Sequence, residues 1–369
     1  MSDVEIGRGK RGRVAYSFDD VSLVPSRRTR EASVVSLAWK IDAYTFEHPI
    51  IAAPMDSVVS PESAVGLSSQ GGLAILNLEG LWTRYADAQA QLDAICALPA
   101  GSAIAQLQRL YAAPIDPDLI QQRVADLRAA GITVAGSLSP HRTLQLAKTV
   151  VDAGVDLFVI RGTTVSAEHV SNNQDALNLK EFIYQLDVPV IVGGCATYTS
   201  ALHLMRTGAA GVLVGFGGGA AHTTANVLGV RVPMASAVAD VAAARRDYLD
   251  ESGGRYVSVI ADGSMGRSGD MAKAIALGAD AVVVGSVLAR ATDAPGRGRH
   301  WGLEATHGEL PRGELVELGT VGTQAEILHG PSHVADGTMN IVGALRRAMA
   351  TCGYEDLKAF QRCEVVVTS

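Results

Sequence analysis

Residues 214–224 read Val-Gly-Phe-Gly-Gly-Gly-Ala-Ala-His-Thr-Thr, with glycines at 215, 217, 218 and 219. Residues without a Cβ let the backbone approach a ligand or ion closely and reach positive φ, so this loop is a candidate for binding through main-chain groups. His222 follows the glycines and can exchange a proton near neutral pH. The open alternative is a solvent-facing loop residue. Asp262-Gly263-Ser264 and Gly285-Ser286 each follow a short aliphatic run. In that setting backbone N–H groups and a hydroxyl can face an anion while the carboxylate accepts from hydroxyls. The same letters also suit turn glycines with capping Asp and Ser. Cys195 offers a thiol, reactive only where a thiolate is accessible; inert core is the other reading.

These residues need elements to position them. Short aliphatic runs recur at 49–53, 72–76, 132–136, 157–160, 189–192, 211–214, 257–261 and 281–284. Between most of them lie Ala/Leu-rich segments with helical spacing, including 119–130, 143–153, 199–207 and 269–277. Glycine follows these segments at 131, 154, 208 and 278, the usual C-cap position. Strands alternating with helices predict a parallel sheet, and eight of them favour a closed (β/α)8 TIM barrel. An open doubly wound sheet remains the alternative, because periodicity does not separate the two.

Two connections between runs are long, one of them the roughly 40 residues between the sixth and seventh. About 55 residues separate the second and third runs, and the spacing predicts helices over 81–98 and 114–130. After the eighth run, 290–337 is rich in Gly, Pro and His without a clean period. It reads as a flexible, flap-like loop on the face where barrel active sites sit. A closing helix is predicted over 340–351. The whole chain, 1–369, reads as one barrel domain.

The 369 residues are 48% hydrophobic with only 5% aromatic, which suits a core of buried aliphatic strands. A net charge of −7 gives no electrostatic case for nucleic acid. The basic cluster Arg8, Lys10, Arg11 and Arg13 reads as part of a solvated, mobile N-terminus over 1–15. Four cysteines without CxxC spacing, and no secretory apolar region, point to reduced thiols and a cytoplasmic protein. No apolar run approaches the roughly 20 residues of a membrane span.

Several blocks resemble the IMP dehydrogenase/GMP reductase family. YSFDDVSLVP at 16–25 is similar to its T-F-D-D-V-x-L-x-P signature, and PIIAAPMDS at 49–57 to its first barrel strand. GGLAI at 71–75, PVIVGG at 189–194, VIADG at 259–263, VGS at 284–286 and GALR at 343–346 resemble later blocks. The glycine loop resembles V-G-x-G-x-G-S-x-C-x-T, with His222 where the family has its cysteine nucleophile. The likeness is nearest to the short group without the tandem CBS module.

The resemblance implies an NAD- or NADP-linked oxidoreductase of purine nucleotide metabolism acting on IMP, GMP or XMP. It implies a homotetramer and a K+ ion held by the carbonyls of Gly217 and Gly219. Met55 would lie under the purine and Asp262 would accept from ribose hydroxyls. Gly219, Ala220, Gly263, Ser264, Gly285 and Ser286 would line the substrate side, largely at the phosphate. Arg161, Gly162 and Gly215 would face the cofactor, and Thr224 matches the threonine that helps activate water or ammonia.

There are departures from the family. Ala220 replaces a phosphate-contacting serine, Arg161 an aspartate and Cys195 an asparagine. The dehydrogenases' Arg-Tyr base pair is not visible in 290–337, which favours the GMP reductase direction; Glu317 lies near the reductases' glutamate. The alternative function is a purine-nucleotide sensor without turnover.

Overall fold

The computed structural model describes residues 3–169, 177–216, 218–307 and 314–368. Eight parallel strands close on themselves: β1 Ile50–Ala52, β2 Leu73–Asn77, β3 Ala135–Leu138, β4 Leu157–Arg161, β5 Val190–Cys195, β6 Gly211–Val214, β7 Ser258–Asp262 and β8 Ala281–Val284. Val282 pairs with Ile50 and Val284 with Ala52, closing the sheet. This is the (β/α)8 barrel, and the open sheet is excluded. Helices cover the outside, so most strand residues are buried on both faces and aliphatic, with Asn77, Arg161 and Asp262 partly buried at the C-terminal strand ends. Gly154, at φ 92°, caps the helix Pro140–Ala153 as the sequence predicts.

Two strands differ from the aliphatic runs for physical reasons. β3 starts at Ala135, because Val134 N–H donates to the Asp156 carboxylate (2.8 Å) before the ladder begins. β5 continues through Gly193 to Cys195. A Cβ on Gly193 would lie 2.4 Å from Leu213 Cβ, so this position is glycine and drops out of the hydrophobic pattern. The long second connection holds Ala88–Ala97 and Pro117–Ala129 with another helix, Ala100–Tyr111, between them. Pro99 is the N-cap of that extra helix; a proline beside a helix start is tolerated, so it does not signal a break.

The N-terminus forms a two-stranded hairpin, Asp3–Gly7 with Lys10–Arg13, exposed along nearly its whole length. It is thus solvated as expected, though paired where a structureless segment was expected. The segment after β8 also carries structure. Arg299–Trp301 pairs with Leu315–Glu317, Leu303–Thr306 is a 3-10 turn and Gln324–His329 is a helix. No helix among the described residues is long and apolar enough to cross a membrane.

Candidate active site

At the C-terminal end of the barrel, the ends of β1, β4, β6, β7 and β8 surround one cavity. Met55, Gly219, His222, Asp262, Gly263, Ser264, Gly285 and Ser286 all line it, together with Arg161 and His300. Parallel strands of similar length deliver these residues to one rim although they are spread over more than 200 positions. Gly215 has φ 140°, and a Cβ there would lie 2.1 Å from the Asp262 carbonyl oxygen. Only glycine lets the glycine loop leave β6 this close to β7. Ser264 then ties the two loops together, its Oγ donating to the Gly218 carbonyl (3.2 Å).

Arg161 reaches across the mouth to Asp262. Its Nε donates to Oδ2 at 2.7 Å and its Nη2 to Oδ1 at 3.3 Å. Burial opposes the guanidinium charge, but Asp262 and then Glu304 more than offset it, and the pKa of Arg161 is raised. Glu304 is itself buried and accepts from Thr163 Oγ1 at 3.1 Å. His222 is half-buried, and its Nδ1 would lie 3.2 Å from a Cβ on Gly219. The imidazole therefore lies over the glycine loop at the cavity and is not a solvent-facing residue.

His300 was not foreseen. It sits on Arg299–Trp301, is 1% exposed, and its Nδ1 lies 3.0 Å from Ser57 Oγ. Burial, then the charges of His222 and Arg161, push its pKa down to about 3, so the ring is neutral. The only sequence signal was the histidine content of an aperiodic segment, which assigns no position.

Other expected residues lie elsewhere. Cys195 is fully buried, its Sγ donating to Leu213 O (3.4 Å), and burial pushes the thiol up to about 12. It faces the packed wall and does not line the cavity. Thr224 is 1% exposed at the start of the short helix Thr224–Leu228, and Ala220 is exposed; neither lines the cavity. Gly162 N–H donates to Gly193 O (2.9 Å), and Gly215 is a packing position, so both serve the strand ends. Gly217 lies outside the described residues, which leaves Gly219 as the described member of the ion pair of carbonyls. Glu317 pairs with Arg299 at 3.0 Å, away from the cavity.

A second cavity shares Met55 and Arg161 with the first and extends over β2 and β3. Asn77, Glu79, Ser137, Ser139, Tyr111 and Asp56 give it a polar lining, with Trp301 and Gly302 on the far side. Asp56 Oδ2 accepts from Leu81 N–H (2.8 Å) and from the Tyr111 hydroxyl, which in turn accepts from Trp301 Nε1 (3.3 Å). Burial raises the Asp56 pKa to about 6. The missed helix Ala100–Tyr111 is what carries Tyr111 here.

A closed parallel barrel with glycine-rich β6, β7 and β8 loops around one cavity defines a barrel protein of the ligand-binding, enzyme-like class. The model of the IMP dehydrogenase / GMP reductase domain matches residues 15–302. An uncharacterised oxidoreductase of Mycolicibacterium smegmatis is 52% identical, covering 99% of this chain and 100% of its own length. The inosine-5′-monophosphate dehydrogenase of Methanocaldococcus jannaschii is 27% identical over 94% of this chain and 91% of that protein. The crystal structure of an IMP dehydrogenase/GMP reductase-like protein from Corynebacterium glutamicum superposes with a TM-score of 0.94 at 50% identity, covering 99% of this chain and 98% of that one. The chain belongs to the IMP dehydrogenase/GMP reductase family.

Proposed function

We propose that the chain binds a purine nucleoside 5′-monophosphate in the first cavity and acts on it as an NAD(P)-linked oxidoreductase, in the GMP reductase direction. The observation that carries this reading is the convergence of Met55, Asp262, Gly263, Gly285 and Ser286 on one cavity. Main-chain N–H groups at the two loops suit a phosphate, and Asp262 suits a ribose diol. Met55 offers an apolar, polarisable surface for the base.

The nicotinamide riboside would lie at the second cavity, where Asn77, Ser137 and Ser139 supply donors and acceptors for an amide and hydroxyls. When bound, such a cofactor supplies or accepts a hydride at the purine. This chain's own part is to hold the base against Met55, present His222 for proton exchange and keep Arg161 between the two cavities. Gly219, with Gly217, would give carbonyls to a K+ ion, and the family likeness supports a cytoplasmic homotetramer.

The test is absorbance at the NAD(P)H band with IMP, GMP and XMP each offered, with and without K+. Turnover with GMP and NADPH or NADH is the expected result. Absence of turnover with every pair, under conditions where a nucleotide raises Tm, would leave the second reading: a purine-nucleotide sensor. Two observations favour that reading. No cysteine lines the cavity among the described residues, and Arg161 already engages both oxygens of Asp262.

A further inference from the structure

We infer that His300 recognises the ligand's phosphate: tethered by Ser57, its Nε2 presents a hydrogen-bond donor on the Gly285–Ser286 side of the cavity. This rests on the nucleotide reading above and adds a residue and a specificity to it.

Ser57 is the sole hydrogen-bond partner of the His300 ring among the described residues. The ring is 1% exposed, yet it lines the cavity. Ser57 engages Nδ1, which leaves the other ring nitrogen for a ligand atom at the cavity the ring lines. A Cβ built on Gly285 would lie 3.5 Å from Nε2 and 3.4 Å from Cε1. That edge of the ring therefore borders the loop whose amides and Ser286 hydroxyl suit a phosphate.

The ring takes this role in the tautomer whose Nδ1 accepts from the Ser57 hydroxyl, which puts the ring proton on Nε2; Nε2–H then donates to a phosphate oxygen. Burial keeps the unliganded ring neutral, and the charged or titratable groups acting on it are His222 and Arg161. A neutral donor beside main-chain amides binds an anion without bringing a second buried charge beside Arg161. The chemical consequence is a preference for a nucleoside monophosphate over the nucleoside with the same base.

The experiment is calorimetric titration of the full chain with GMP and with guanosine, for the wild type and two variants. His300→Asn keeps an amide near Nδ1 to meet Ser57 but leaves nothing in the place of Nε2. His300→Gln carries an amide N–H out toward the position of Nε2. The expected result is a GMP affinity weakened roughly 10- to 100-fold in His300→Asn, as for loss of a hydrogen bond to a charged group. Guanosine affinity should stay within about twofold, and His300→Gln should recover most of the GMP affinity.

Equal losses for GMP and guanosine, or no loss in His300→Asn, overturn the inference while leaving the nucleotide reading standing. A folded wild-type chain that binds no purine monophosphate overturns both. Should His300→Asn fail to fold, Ser57→Ala supplies the comparison, with a loss of roughly threefold or more for GMP alone expected from releasing the ring. Undiminished GMP selectivity there also overturns it.

Discussion

Asp280, at the N-terminal end of β8, receives five donors, whereas Asp262, at the C-terminal end of β7, receives one side chain. Around Asp280 stand Arg245 Nη1 (2.8 Å), Tyr256 OH (2.7 Å), Val259 N–H (2.9 Å), Lys358 Nζ (2.5 Å) and Gln361 Nε2 (3.0 Å). Asp262 holds Arg161 alone among the described side chains. Both carboxylates are largely buried, at 5% and 14% side-chain exposure. A carboxylate offers about four acceptor sites. Those of Asp280 are used up by the protein, while Asp262 keeps capacity facing a cavity. The closed end is scaffold and the open end is prepared for a ligand, the usual division between the two faces of such a barrel.

Asp280→Ala should break this contrast most visibly. It strands Arg245 in a buried site, and loss of about 3–5 kcal/mol is expected in urea unfolding. Nucleotide affinity of the folded fraction should be unchanged. Asp262→Ala should cost less, about 1–3 kcal/mol, since it removes a single side-chain partner and Glu304 still acts on Arg161. The contrast fails if the two variants lose equal stability.

The pH dependence sharpens the same point. Burial works against the Asp280 charge, but Arg245 and Lys358 prevail and its pKa is lowered. Its contribution to stability is then present above the ordinary carboxylate value of 3.8 and disappears as pH falls through the lower folded value. Asp56 runs the other way. With its folded pKa raised to about 6, the folded state holds a proton that the unfolded chain has released. Stability should therefore fall as pH rises from about 4 to about 6, by an amount on the order of 2–3 kcal/mol. Unfolding across that range in Asp56→Asn should show the slope removed.

Within the cavity, Asp262→Ala should weaken purine monophosphate binding at least about tenfold by losing hydrogen bonds to ribose hydroxyls. The smallest effect belongs to Cys195. Its thiol is neutral and enclosed, so Cys195→Ala should leave nucleotide affinity within about twofold. Native-state alkylation followed by peptide mass spectrometry should find Cys195 unmodified at neutral pH. Labelling at that position would reopen it as a nucleophile.

The barrel was legible because its signals are local. Each strand is an aliphatic run, and glycines close the helices that precede β3, β4, β6 and β8. The two loops on one side of the cavity were legible for a similar reason: Asp262-Gly263-Ser264 and Gly285-Ser286 follow their strands directly, so placing the strand places the loop. Tyr111 escaped notice because a proline-led helix carries it. His300 escaped because three-residue strands and a 3-10 turn leave no period in 290–337. His222 could be placed on the loop, but its approach to the cavity could not.

By itself, then, the sequence determined eight parallel strands alternating with helices, its family likeness and the loops that follow the strands, since strand alternation and turn chemistry act over a few neighbouring residues; that the sheet closes into a barrel came from the pairing of the eighth strand with the first. Only the tertiary structure decided which of those residues meet. Arg161 and Asp262 are 101 positions apart, and Ser57 and His300 are 243 apart; closure of the sheet brings each pair within hydrogen-bond reach. The same closure turns Cys195 into the packed wall, where desolvation keeps its proton on.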